Sequence, residues 1–148
     1  MRILSGFYGV LKPFDGITPY RLEMQAKLKI AGQKDLYSYW GNSIAEHLLA
    51  ETDCIINLAS KEYSISISKY LPEQVRFITC VFGEEKGGKV IEKGTMCKMA
   101  RGEMVRFMAE NQISDPQMLK SFNRLEYRFD DIKSNDERFV FIRNATNS

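Results

Sequence analysis

The sequence holds a single histidine, His47, and that scarcity excludes much enzyme chemistry. A Ser-His-Asp triad, an HExxH zinc site and a histidine-rich metal centre all need imidazole beside fixed partners. His47 instead falls inside an apolar-periodic stretch from Trp40 to Glu51, where it reads as a structural or surface residue. Cysteine is also sparse. Cys54, Cys80 and Cys97 are far apart, and no CxxC pair exists to hold zinc or run disulfide exchange. An odd cysteine count without a secretory leader points to free thiols in a reducing, cytoplasmic setting. Cys54 and Cys80 read as small buried hydrophobes. No apolar run approaches the ~18–20 residues of a membrane span, so no membrane partner is expected. Gly83-Glu-Glu-Lys-Gly-Gly88 is not a Walker loop, because its lysine precedes the glycines and no Ser or Thr follows in place. There is no paired-carboxylate helix motif either, so neither a metal site nor a cofactor is expected.

What is present suits an ordered domain. Of the 148 residues, 44% are hydrophobic and 11% aromatic, which is enough for a sizeable core. The length is that of one domain, read here as residues 1–148. The net charge of +2 is too mild to argue for nucleic acid by itself. Its distribution says more. Lys98, Arg101 and Arg106 share one helical stretch, and Lys27, Lys29 and Lys34 another short span, while acids gather at Asp130, Asp131, Asp136 and Glu137.

Periodicity sketches the elements. Met1–Leu4 reads as a strand end, followed by the tight Ser5-Gly-Phe-Tyr-Gly9. Arg21–Ile30 alternates polar and apolar residues, which predicts a half-buried strand. Asp35 is a plausible N-cap for a helix running to about Glu51. Cys54–Ala59 is an apolar run expected to be a central strand, and Lys61–Leu71 a short helix. Val75–Phe82 and Lys89–Glu92 flank a glycine turn and predict a hairpin. Thr95–Asn111 is the clearest helix, with Met96, Met99, Ala100, Met104, Phe107 and Met108 along one side. Ser114-Asp-Pro116 starts another short helix. Tyr127–Phe129 and Arg138–Ile142 are closing strands, and 144–148 is expected to fray. The fold class is therefore α+β, one mixed sheet with packed helices.

Four clusters could carry chemistry. Ser5, Gly6 and Tyr8 lie in a turn whose amides could form an anion nest, or an ordinary tight turn. Tyr20 precedes Arg21 and Glu23, which share one face of the expected strand and could hold a polar ligand, or merely a weak ion pair. Asn57, Ser60, Glu62 and Tyr63 come where a strand leaves the sheet, a common ligand position and also any strand's polar exit. Lys98, Arg101 and Arg106 put three cations across about two helical turns, suited to phosphate or to plain solvation.

These segments together resemble one family. Leu4-Ser-Gly-x-Tyr-Gly-Val-Leu-x-Pro13 with Asp15, Pro19-Tyr-Arg-Leu-Glu-Met24, Lys34-Asp-Leu-Tyr37 with Trp40-Gly41, Asn57-Leu-Ala-Ser60 with Glu62-Tyr63, and Lys98-x-Ala-Arg-Gly102 with Arg106-Phe107 are similar to the bacterial peroxide stress resistance (YaaA-type) family. The resemblance covers essentially the whole chain. It implies a cytosolic protein of the hydrogen peroxide response that limits free iron and protects DNA, with a compact α+β fold and an electropositive DNA-binding cleft. It assigns no firm catalytic reaction. It also implies that this chain is the carboxy-terminal two-thirds of a longer protein and incomplete relative to the family fold. The absent amino-terminal part would be about 100 residues, a small domain's length, and would carry a helix-hairpin-helix-like segment.

Two functions follow as expectations. In the first, Arg21, Lys98, Arg101 and Arg106 neutralise phosphates of DNA, and any effect on iron is indirect. In the second, the chain is an enzyme acting on a nucleotide or nucleic-acid base, with Glu23 or Glu62 as general acid or base and Tyr8 or Trp40 stacking on the base. The partner is accordingly DNA or a phosphate-bearing small molecule, and oligomeric state is not legible. Both readings require Ser5, Gly6, Tyr8, Tyr20, Trp40, Asn57, Ser60 and Tyr63 to join the charged residues in one cleft.

Overall fold

The computed structural model describes residues 1–143; the expected frayed end, 144–148, lies outside them. Contacts divide the chain into two compact units. The first comprises Met1–Ile55 and Ala59–Arg76, the second Ile56–Leu58 and the chain from Phe77 onward.

The first unit opens with a hairpin. Strands β1 (Ile3–Ser5) and β2 (Gly9–Leu11) pair antiparallel, with Ser5 opposite Gly9. The alternating segment 21–30 is not a strand, contrary to its period. The chain turns at Met24-Gln25, where the Ala26 amide donates to the Glu23 carbonyl at 3.1 Å and the Leu28 amide to Ala26 at 2.8 Å. Alternation suits a strand only where another strand supplies ladder partners; here local turns take up these amides. Met24 alone of the apolar set is fully buried, while Leu28 and Ile30 are each 37% exposed.

The expected long helix forms as two, α1 (Leu36–Trp40) and α2 (Ser43–Leu49). Asp35 caps the first as its sequence position suggests, accepting from the Ser38 amide at 2.7 Å. Gly41, with φ at +52°, ends it in a conformation that favours glycine. Leu36, Ile44, Ala45 and Leu48 still reach the core. Helix α3 (Lys61–Ser68) buries Ile67 and two serines, whose hydroxyls donate back to the Lys61 and Tyr63 carbonyls.

The second unit is built on a mixed sheet, as the α+β reading requires. Its order is β3-β4-β7-β6, with β5 on β4; the strands are β3 (Cys54–Asn57), β4 (Arg76–Lys86), β5 (Lys89–Ile91), β6 (Tyr127–Phe129) and β7 (Arg138–Arg143). β4 and β7 run parallel and occupy the middle of this order. β3 lies at its end, a correction to the central position its apolar run suggested. The reason is visible in burial: Phe139, Val140 and Phe141 are all buried, so β7 is covered on both faces, whereas Cys54, Ile55 and Ile56 are half-buried. The predicted hairpin closes at Gly87-Gly88, whose φ values of +58° and +75° match a two-residue turn of the mirror-image type.

Helix α4 (Gly94–Glu110) buries Cys97, Ala100, Met104 and Phe107, a stripe at three- and four-residue steps. Met99, expected on that side, falls off the stripe and is 50% exposed. Asp115 caps a short 3-10 helix, Pro116–Ser121, by accepting from the Gln117 amide at 2.9 Å. Phe82 stacks on Phe141 at 5.0 Å, and Phe122 and Tyr127 meet Phe82 edge-on. Each such buried ring contributes about 1.5–3 kcal/mol in hydrophobic transfer.

Candidate functional site

The residues singled out in the sequence fall into both units, and each set has its own geometry. Ser5, Gly6, Tyr8, Tyr20, Arg21, Glu23, Trp40, Ser60, Glu62 and Tyr63 belong to the first; Asn57, Lys98, Arg101 and Arg106 belong to the second.

In the first unit the β1–β2 turn is the organising feature. Ser5 is 2% exposed, and its hydroxyl accepts from the amides of Phe7 at 3.2 Å and Tyr8 at 2.9 Å. Those two amides of the supposed anion nest are thus occupied within the turn. The same hydroxyl shares a short hydrogen bond with the Tyr20 phenol. The Tyr8 phenol accepts from the Thr18 amide at 3.0 Å. Together these bonds tie the segment before Arg21 onto the hairpin. Gly6 is required there, because a Cβ would lie 2.9 Å from the Leu22 carbonyl oxygen.

Phe7, Tyr8 and Tyr20 then form a ring cluster with centroids 4.9 to 5.6 Å apart. Phe7 is 57% exposed and Tyr20 39%, so this cluster offers aromatic faces to solvent. Rings so placed can stack on a nucleobase.

The same unit holds a phenol–carboxylate group. A Glu62 carboxylate oxygen accepts from the Gln25 amide at 3.2 Å, and the Glu62 backbone carbonyl accepts from the Tyr37 phenol at 2.8 Å. Burial, reinforced by the Glu62 charge, holds the Tyr63 phenol above its usual range, and a hydrogen bond with the Met24 backbone works against that shift. Glu23 and Tyr20 also act on Tyr63 electrostatically. Tyr37 is pushed up by burial first and by Glu62 second. Both phenols therefore stay protonated at neutral pH and serve as neutral hydrogen-bonding groups. Arg21 is exposed and forms no hydrogen bond or ion pair among the described residues. Ser60 sits at the α3 N-cap position, its carbonyl accepting from the Ser64 amide at 2.9 Å.

In the second unit Asn57 is 7% exposed and donates to the Thr79 hydroxyl at 3.1 Å. The α4 cations differ from one another. Lys98 is exposed, with no ion pair among the described residues. Arg101 is held by Glu92 at 2.9 Å. Arg106 pairs with Glu110 at 2.7 Å, and Glu110 also holds Arg124.

The model of the family described as "Peroxide stress protein YaaA" matches residues 1–133. The chain belongs to the peroxide stress protein YaaA family. Every segment that carried the sequence resemblance, from Leu4 to Phe107, lies inside that match. A UPF0246 protein of Lachnoclostridium phytofermentans is 58% identical over 145 residues, covering 98% of this chain and 57% of its own length. UPF0246 proteins of Desulfitobacterium hafniense and Pediococcus pentosaceus are 56% and 51% identical, each again covered over 57% of its length. The chain thus spans a little over half the length of these curated relatives.

Within this YaaA-family chain, sequence reasoning missed three participants. Tyr37 was legible only as a member of the Lys34–Tyr37 motif, with nothing to connect it to Glu62. Phe7 stood as an unassigned position between Gly6 and Tyr8. Thr79 had no signal at all, since its role comes from facing Asn57.

Proposed function

We propose that this YaaA-family chain serves the hydrogen peroxide response in the cytoplasm by binding DNA through exposed cations, thereby protecting it. The charge arrangement on α4 supports this reading most directly. Lys98 has no carboxylate partner among the described residues, and the Arg106 side chain is 68% exposed in a surface pair with Glu110. Surface pairs of that kind contribute little, so a phosphate can displace the carboxylate. Arg21 adds a second unpaired cation on its own unit. Any limitation of free iron would be indirect: among the described residues no group of three or more His, Cys, Asp or Glu is placed to hold a metal ion. Among them, too, no helix is long and apolar enough to cross a membrane.

The test is a salt titration of binding to a fluorescent DNA duplex, by this chain and by a full-length relative. Affinity should fall with a log–log slope of about 0.9 per neutralised phosphate. Absence of salt-dependent binding by both proteins would remove the proposal.

A second reading, an enzyme acting on a nucleotide or base, rests on the first unit's ring cluster beside Glu23, Glu62 and Tyr63. Glu62 would act as general acid or base there. Metabolite profiles with wild-type protein and Glu62→Gln should then differ; identical profiles count against catalysis.

A further inference from the structure

The segment that failed to become a strand ends in a hairpin tip of its own. The Ile30 amide donates to the Gln33 carbonyl at 3.1 Å, and the Gln33 amide returns a bond to Ile30 at 2.8 Å. Ala31 and Gly32 between them have φ of +49° and +75°. This is the same two-residue geometry as the Gly87-Gly88 turn, here with an alanine accepting a left-handed conformation.

The two tips differ in net charge. Between Gln25 and Lys34 there are three lysines, Lys27, Lys29 and Lys34, and no carboxylate. All three are exposed, and none forms an ion pair among the described residues. By contrast Lys93, Arg101, Arg106 and Lys133 each hold a carboxylate. The one carboxylate next to Lys34 in the chain, Asp35, is engaged by the Ser38 amide at 2.7 Å. At the other tip, Lys86 lies opposite Lys89, but Glu84 and Glu85 on the same hairpin balance their charge in number while pairing with Lys93 and Lys133.

Lys29 and Lys34 flank the Ile30–Gln33 bridge on either side. With Ile30, Gly32 and Gln33 they line a surface concavity of about 290 Å³. Like charges brought together across a hairpin destabilise it, and an anion between them reverses the sign of that contribution. Gly32 leaves the backbone open to close approach.

We infer that this lysine tip is a phosphate-backbone contact for duplex DNA, an element outside the cations of α4. The donor set decides the ligand class. Ammonium groups on flexible stems neutralise charge without the planar fork that reads a defined phosphate or base edge. No aromatic side chain lines the concavity, so it offers no platform for a nucleobase. Such a set positions a polyanion and does not select a sequence. The inference rests on the DNA-binding reading above.

The experiment is fluorescence anisotropy with one duplex at several salt concentrations. It uses wild type, a triple variant (Lys27→Ala, Lys29→Ala, Lys34→Ala) and a control (Lys86→Ala, Lys89→Ala). The triple variant should bind about tenfold more weakly or worse at low salt, with a log–log slope smaller by about 2 to 3. The control should match wild type. Wild-type binding that the triple variant retains in full would overturn this inference while leaving DNA binding intact. Equal losses in both variants would overturn it too, since bulk charge would then explain the effect. No duplex binding by wild type would remove the underlying reading itself. Wild-type binding to anionic phosphatidylserine vesicles, without duplex binding, would assign the tip to a membrane surface and overturn it as well.

Discussion

The indole of Trp40 donates to the Gly6 carbonyl oxygen at 3.0 Å, and the same ring fills the space a side chain at Gly9 would need. A Cβ at Gly9 would lie 2.9 Å from two ring carbons. One tryptophan on α1 therefore fixes both ends of the β1–β2 turn and, through it, the aromatic cluster.

Gly9→Ala should destabilise the chain by about 1–3 kcal/mol, since φ at Gly9 is +73° and the methyl group meets the indole. Urea denaturation measures this. In a Trp40→Ala background the added cost should shrink, because the clash is gone and only backbone strain persists. A cost unchanged in that background would show that the ring does not set the glycine requirement.

Burial pushes the Cys80 thiol up from its ordinary value of 9.0 to about 12. A raised folded value means that its stabilising contribution is complete below pH 9.0 and is lost as pH climbs toward about 12. Wild type should therefore lose stability with alkaline pH more steeply than Cys80→Ala in parallel denaturation curves. In the folded protein at pH 8 a thiol reagent or hydrogen peroxide should leave Cys80 unmodified, because the thiolate is the reactive form. Rapid modification of Cys80 under native conditions would contradict its burial.

Asp35 titrates below its ordinary 3.8, chiefly because the Ser38 amide hydrogen-bonds its carboxylate. A depressed folded value gives stability that is present above 3.8 and lost as pH falls through the folded value. Asp35→Ala should lower the urea midpoint at pH 7, and the gap from wild type should close in acid. A gap independent of pH would assign the loss to packing instead of capping.

Glu110 accepts from Arg124 and from Arg106, and these bonds, Arg124's first, depress its carboxyl below the usual range. Glu110→Gln should free the Arg106 guanidinium, Arg124 keeping its pair with Glu103 at 3.2 Å, and strengthen duplex binding severalfold at low salt. Lys98→Ala should weaken it and reduce the salt slope by about 1. Opposite signs for the two variants are the signature of phosphate contact along α4. Matching signs would remove α4 from the interface.

Legibility followed the range of the interaction. The Asp35 cap, the helix start at Ser114-Asp-Pro116, the Gly87-Gly88 turn and the α4 stripe could be read because each depends on residues a few positions apart. The 21–30 strand was misread for the opposite reason: alternation specifies a face, and a strand also needs a neighbour. The split at Gly41 hid inside an unbroken helical period, since apolar spacing does not register one positive φ. The candidate site was read as residue types without partners. Ser5 was known to be polar and near glycines, but not that Tyr20 would share its hydroxyl.

By itself, then, the sequence determined the local devices, the α+β class and membership of the YaaA family, because these reside in patterns of neighbouring residues. The tertiary structure alone decided which strands lie inside the sheet, which cations are neutralised and which phenols surround Glu62. The physical reason is distance along the chain. Gln25 reaches Glu62 across 37 positions and Trp40 reaches Gly6 across 34, and such bonds exist only once packing has brought the segments together.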